Sequence, residues 1–227
     1  MKIGILQTGH SPADLIDDFG NYGALFVKLL DGQGFTFDVF DVVNMEFPES
    51  ADTCDGWLIT GSRHGVYDDQ PFIAPLEKLI RAIYAADRPM VGICFGHQII
   101  AQALGGRAEK FDGGWAVGRQ SYDWDGETVS LNAWHQDQVT QLPPDATVCA
   151  GNDHCKNAVL LYGQKAFTLQ PHPEFSSDFV EGLATYRGPG LVPDTQLDDL
   201  RANLGSSIDN AAMAQKIGQF LRDRTIA

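Results

Sequence analysis

Three things are scarce in this sequence: long hydrophobic runs, basic residues and cysteine. The first apolar stretch, Ile3 to Leu6, is four residues long and gives way to Gln7-Thr8-Gly9-His10. That is too short for the core of a secretion signal or for a membrane helix, so no membrane partner is expected. Lys and Arg number 16 against 30 Asp and Glu, a formal net charge of −14. A surface of that sign repels phosphate backbones, which argues against nucleic acid as a partner. The four cysteines, Cys54, Cys94, Cys149 and Cys155, are expected to follow no leader and to be reduced, in a cytoplasmic setting. Cys149, His154 and Cys155 lack the paired spacing of a zinc site, so no metal is expected.

Glycine is abundant, with 24 of 227 residues against a usual share of roughly 7%, as a fold with many tight turns requires. The length suits a single domain over residues 1–227 whose core needs no staples. Lys2 to Thr8 reads as a buried strand, and Phe19, Tyr22, Phe26, Leu29 and Leu30 recur at helical spacing. Phe35, Phe37 and Val39 alternate as in a half-buried strand, and Asp55 to Thr60 forms another apolar run. Pro71 is placed to open a helix. Pro89 to Ile93 reads as a strand, and Phe95 to Leu104 as a helix. This alternation predicts an α/β fold with parallel βαβ units and helices on both faces of the sheet. The second half reads as strands at 120–124, 127–133, 145–150, 158–161 and 166–170, then helices from near Ser176, Asp194 and Ser207. Residues 189–227 are expected to form a helical extension packed on the domain, either as a cover for the sheet or as a lid.

The most informative stretch is Gly92-Ile93-Cys94-Phe95-Gly96-His97-Gln98, between an apolar strand and a helix. With cysteine in place of serine, Gly-x-Cys-x-Gly is the pattern of a nucleophile elbow. A strand-to-helix turn that sharp leaves no room for side chains at the glycines and strains the central residue. The nucleophile then stands at a helix N-terminus, whose free N–H groups favour an anion. The N–H of Phe95 is placed to stabilise an oxyanion. The alternative is a core cysteine beside two turn glycines. A cysteine nucleophile needs a base, and the base needs an orienting acceptor. Of the six histidines, His172 stands out because Pro173-Glu174 follows it. Residues i and i+2 of an extended segment project to one side, so Glu174 can fix the tautomer of His172.

These residues resemble the class I (triad) glutamine amidotransferases. The order Cys94, His172, Glu174 matches, as does the loop Thr60 to Asp68, which resembles that family's oxyanion loop. Gly113 to Gly118 and Trp134-His135-Gln136-Asp137 fall where the family has substrate-side segments. The resemblance implies a flavodoxin-like three-layer sandwich with a mostly parallel central sheet. It implies attack of Cys94 on the side-chain amide of glutamine, with His172 as acid and base and Glu174 as its orienter. It implies an oxyanion site from Gly61 or Ser62 and Phe95. Gln98, Gly114, Trp115, Trp134, His135 and Asp137 would form the substrate pocket, although Trp115 and Trp134 suit a core equally well. Tyr67-Asp68 reads as a brace for the loop.

The nearest branches are glutaminase domains of the GMP synthetase type and stand-alone γ-glutamyl peptidases. No Ser-Gly-Gly-x-Asp-Ser loop and no Gly-x-x-x-x-Gly-Lys occurs, so no ammonia-consuming synthase domain is expected in this chain; no cofactor is expected either. The expected ligand is glutamine or a γ-glutamyl small molecule, with a separate synthase as one candidate consumer of ammonia. A hydrolase of γ-glutamyl peptides or amines uses the same chemistry, and a non-catalytic regulatory or binding protein is the alternative from another class.

Overall fold

Gly56–Ile59, Met90–Ile93 and Ala166–Leu169 are buried at every position, as strands covered on both faces must be. In a computed structural model, which describes residues 1–226, they are β3, β4 and β11. The other strands are β1 (Lys2–Leu6), β2 (Thr36–Phe40), β5 (Arg107–Lys110), β6 (Ala116–Trp124), β7 (Glu127–His135), β8 (Asp137–Gln141), β9 (Thr147–Ala150) and β10 (Val159–Tyr162). The helices are α1 (Ala13–Phe19), α2 (Tyr22–Leu29), α3 (Ile73–Ala85), α4 (Phe95–Ala103), α5 (Ser177–Tyr186), α6 (Asp194–Ala202) and α7 (Asn210–Asp223). Seven strands form the central sheet in the order β2-β1-β3-β4-β11-β10-β9. The run from β2 to β11 is parallel, and β10 and β9 close the far side antiparallel.

Helices cover both faces. On one, Leu76, Ile80 and Ile83 of α3 and Ile99 and Ile100 of α4 pack on Trp57, Ile59 and Leu160. On the other, Phe26 of α2 and Met213, Ile217, Phe220 and Leu221 of α7 pack on Ile3, Ile5, Leu58, Val91 and Phe167. This is the flavodoxin-like three-layer arrangement. Since α7 lies in that second core, Ile217→Ala is expected to lower unfolding free energy by about 3 kcal/mol, read as a fall in the urea midpoint. A change below about 1 kcal/mol would show that α7 is not part of the core.

Several elements differ from expectation. The aromatic spacing across Phe19–Leu30 suggests one helix, but Gly20 at φ 80° divides it into α1 and α2. Phe19 meets Phe179 while Tyr22 meets Phe175, so two helices converge on one aromatic cluster and mimic one stripe. Pro71 does not open α3, because the fully buried Phe72 is docked against Phe95 and the helix starts after it. The last helix starts at Asn210 rather than near Ser207. Asp209, at its N-cap, accepts from the Ser130 N–H (2.7 Å) and ties the helix to β7. β6 and β7 are longer than predicted and form a separate hairpin through Asp125-Gly126, both at positive φ, the requirement of a type I′ turn. β5 and β8 pair as a further ribbon that the sequence did not reveal. Among the described residues, no helix is long and apolar enough to cross a membrane.

Candidate active site

Three parallel strands, β3, β4 and β11, end side by side, with Ile59 paired to Gly92 and Leu169 to Ile93. The chain after each leaves the sheet at the same edge, the carboxyl edge where open α/β sheets bind ligands. This register brings together Gly61-Ser62, Cys94 and His172, although 78 residues separate the last two. Cys94 turns directly from β4 into α4 at φ 53°, ψ −103°. A Cβ at Gly92 would lie 2.5 Å from the Gly96 carbonyl oxygen, and one at Gly96 would strike the Ile59 carbonyl. The glycines therefore set the bend, and Cys94 carries the strain. A non-glycine residue held in such a region costs of order 1–3 kcal/mol. Cys94→Gly is therefore expected to be more stable than Cys94→Ala by about 1 kcal/mol, or roughly 2–4 °C in Tm for a chain of this size. The reverse order in calorimetry would refute the strain.

His172 follows β11 and is fixed from several sides. Its N–H donates to the Asn132 carbonyl (2.8 Å), its ring stacks on Phe175 at 3.9 Å, and its Nδ1 bonds to Glu174 Oε1 at 2.7 Å. The Phe175 carbonyl is in turn held by Asn132 and Asn210. Burial alone would push the His172 imidazolium toward deprotonation. The charges of Glu174 and Cys94 oppose this, and hydrogen bonds to both reinforce them, so the pKa lies well above the ordinary histidine value. His97 and His135 behave oppositely. Burial lowers both to about 3, aided at His135 by the charge on His172. Of the three, His172 alone is held as a cation.

The amides at the mouth of the elbow are open. Thr8 Oγ1 donates to the Gly61 carbonyl at 2.9 Å. In a trans peptide the C=O and N–H point opposite ways, so the Ser62 N–H is aimed away from Thr8. Likewise the Cys94 carbonyl accepts from Gln98 N (3.0 Å) within α4, which leaves the Phe95 N–H pointing off the start of the helix. Among the described residues the N–H groups of Gly61, Ser62 and Phe95 have no partner. Gly61 stands against the pair: a Cβ there would lie 3.0 Å from His172 Cε1 and 3.7 Å from Cys94 Cβ.

Cys94 and His172 line a cleft of about 340 Å³. The family description "Glutamine amidotransferase class-I" matches residues 15–180. The chain belongs to the class I glutamine amidotransferases. Gamma-glutamyl peptidase 4 of Arabidopsis thaliana is 32% identical over 71% of this chain and 71% of its own length. A glutamine-hydrolyzing GMP synthase subunit from Methanopyrus kandleri is 27% identical over 70% of this chain and 87% of its own. The crystal structure of a glutamine amido transferase from Methylobacillus flagellatus shares the fold. It has a TM-score of 0.74 over 98% of this chain and 93% of that one, at 20% identity.

In this member of the family the expected substrate residues divide. Gln98, Trp115, Trp134, His135 and Asp137 line the cleft with the elbow. The Gln98 amide nitrogen is committed to the Asp137 carbonyl (2.9 Å) and Gln170 Oε1 (3.0 Å), so Oε1 is what it can offer. Trp115 and Trp134 form a tilted pair in the wall, 6.3 Å apart. His135 Nδ1 meets the Asp137 carbonyl at 3.2 Å, and its Nε2 is buried without a partner. Burial raises the Asp137 pKa, and Asp137 accepts from Tyr67 at 2.9 Å. Tyr67 thus braces the loop against β8. Gly114 lies outside the cleft wall, at φ 86° in the turn after β5. Tyr22, Arg63, Lys110, Phe175, Arg187 and Leu191 also line the cleft. Arg63 sits in the loop that resembles the family's oxyanion loop; the other five sit in no motif, and sequence reasoning missed them as ligand-facing residues.

Proposed function

We propose that this amidotransferase cleaves the γ-amide of a glutamyl group through a γ-glutamyl thioester on Cys94, with glutamine as the simplest substrate. The observation that carries this reading is the geometry at His172, whose Nδ1 is bonded to Glu174 at 2.7 Å and whose ring lines one cleft with Cys94. Cys94 Sγ attacks the amide carbonyl, and the N–H groups of Ser62 and Phe95, with Gly61 beside them, receive the oxyanion. His172 gives its proton to the departing nitrogen, which leaves as ammonia or an amine. Water then adds to the thioester and gives a proton to His172, glutamate departs, and the sulfur of Cys94 leaves as the thiolate, so the His172 imidazolium that began the cycle is restored. Glu174 orients the ring throughout. Gln98 Oε1, Asp137 and the Trp115–Trp134 wall hold the glutamyl head. A purely regulatory protein would have no use for this ion pair beside a strained cysteine. Four free thiols suit a reducing compartment such as the cytoplasm.

A second reading, supply of ammonia to a separate synthase, is favoured by the relative named as part of a GMP synthase. The two are separated by substrate profiling. Purified protein is offered glutamine and a panel of γ-glutamyl amino acids and amines, and free glutamate is measured. Turnover of the panel by the protein alone supports the hydrolase. Turnover of glutamine only, stimulated by a synthase, supports the ammonia supplier. No glutamate from any of them contradicts the thioester chemistry.

A further inference from the structure

Residues 189–227 have two roles open to them from sequence, a cover for the sheet or a lid, and the start of α7 points to a third. Asp209 and Ser130 of β7 exchange two hydrogen bonds. The Ser130 N–H donates to Asp209 Oδ2 and the Asp209 N–H to the Ser130 carbonyl, both at 2.7 Å. Pinned in this way, the first residue of the helix, Asn210, reaches the segment that carries His172. Asn210 Nδ2 donates to the Phe175 carbonyl at 2.9 Å, and Asn132 Nδ2 of β7 donates to the same oxygen at 3.0 Å. A carbonyl has two lone pairs, and here side-chain amides take both. α5 makes no use of that oxygen: the Phe179 N–H goes to Ser176 Oγ and the Val180 N–H to the Ser176 carbonyl.

The clamped residue is the one on which His172 rests. His172 to Phe175 is a four-residue turn, closed by the Phe175 N–H on the His172 carbonyl at 3.3 Å. The His172 N–H anchors it to the Asn132 carbonyl at 2.8 Å. The turn brings the Phe175 ring back over the imidazole, 3.9 Å between centroids and 3° from parallel. The bond from His172 Nδ1 to Glu174 fixes one atom of the imidazole but not its plane. The phenyl face fixes the plane, and the two together fix where Nε2 points. The electron-rich face of a phenyl ring also favours a cation stacked on it. Phe179 backs the phenyl ring at 4.5 Å, and the two asparagines hold its backbone. Asn210 does not itself line the cleft. Its Oδ1 is shut from solvent with no partner among the described residues, and a buried unpaired acceptor is destabilising. A residue that served only to tether the helix would have no reason to carry that cost.

We infer that Asn210, supplied by the C-terminal extension, is a positioning residue for His172, acting through the Phe175 carbonyl that it shares with Asn132. The inference rests on the thioester reading for what His172 does. It adds the part of the chain that keeps the imidazole aimed at Cys94. The extension is then neither a cover alone nor a lid, because its last helix completes the seat of the acid–base residue.

The test compares full-length wild type, Asn210→Ala, Asn210→Asp and, as a control, Ile217→Ala, at a temperature where circular dichroism shows all of them folded. The substrate is glutamine or the best γ-glutamyl compound of the panel above. Asn210→Asp is the sharper variant. It keeps the shape and puts a carboxylate in the first turn of a helix, which stabilises the helix. Yet it offers an acceptor where the Phe175 carbonyl needs a donor. A merely structural role predicts wild-type behaviour or better for Asn210→Asp. The positioning role predicts a fall in kcat of about tenfold or more in both Asn210 variants with KM within about twofold, since misplacement by about an ångström can cost on the order of a hundredfold. Ile217→Ala weakens the same helix further along and should keep the wild-type kcat. A second readout needs no turnover. The Nδ1 proton of His172, bonded to Glu174, should give a sharp far-downfield NMR signal in the wild type and in Ile217→Ala. Both Asn210 variants should broaden or shift it. Wild-type kcat with an unchanged signal in Asn210→Asp overturns the inference. So does an equal fall of kcat in Ile217→Ala, which would trace the loss to weakened helix packing. If the wild type releases glutamate from no substrate, the thioester reading falls, and the Nδ1 signal alone decides whether Asn210 seats the ring.

Discussion

Replacing Cys94 with alanine lowers hydrolysis of every γ-glutamyl substrate by at least about 10⁴-fold, as removal of a nucleophile from a cooperating triad does, while the protein stays folded. The fold survives because alanine carries no more backbone strain at the elbow than cysteine does and the sulfur is one small group in a large core. The activity is not expected to survive, because no other cysteine lines the cleft. The other three cysteines lie away from it, with Cys54 packed in the opposite core and Cys149 and Cys155 near the β9 edge of the sheet. Residual turnover near the wild-type rate would mean that the amide is attacked directly by water and that Cys94 is structural. Matching thermal melts of the two proteins exclude unfolding as the cause.

The second large effect is at Glu174. Glu174→Gln keeps the shape of the side chain and removes the charge that sustains the His172 imidazolium. A fall in kcat of about 10²–10⁴-fold is expected, the range seen when the orienting acid of a triad is neutralised. The sign of the pH effect follows from the direction of the shift. The pKa of His172 in the folded protein is raised above its unfolded value near 6.5. Stability from the pair is fully present below that unfolded value and is lost as pH rises through the higher folded one. With glutamine at 174 the folded value falls, so the stability deficit of the variant is largest at acid to neutral pH and shrinks at alkaline pH. The alkaline limb of its kcat profile, which reports loss of the acid, moves to lower pH. The imidazole NMR titration of His172 measures the same shift directly. An unmoved midpoint would show that Glu174 does not set the charge on His172.

How much of this was legible in the sequence depended on the range of the signal. Gly92 to Gln98 carries its meaning locally, because two steric requirements and a strand-to-helix switch fall within seven residues. His172-Pro173-Glu174 is equally local, and its partner bond could be foreseen from an i, i+2 spacing. The positions of the buried strands were likewise announced by short apolar runs, though not their order in the sheet. β5 and β8 were not, since Arg107–Lys110 and Asp137–Gln141 bury few side chains, Ala108 and Val139 among them. Two mainly polar strands leave no alternation to read. His135 is a pocket candidate in sequence, and only its burial, shared with His97, pushes both toward the neutral form. Tyr22, Lys110 and Arg187 come from three distant segments, and only the assembled walls of the cleft bring them together. The aromatic stripe from Phe19 to Leu30 misled because Gly20 breaks it, and one glycine carries no signature beyond its freedom at positive φ.

The central claim is that substrate passes through a covalent bond to Cys94. Rapid acid quenching of the protein during turnover of a γ-glutamyl substrate, followed by peptide mass spectrometry, tests it most directly. The expected result is a γ-glutamyl adduct on the peptide containing Cys94, formed at a rate that matches or exceeds kcat and absent in Cys94→Ala. Glutamate released at full rate with no adduct on Cys94, or an adduct on another residue, would contradict it.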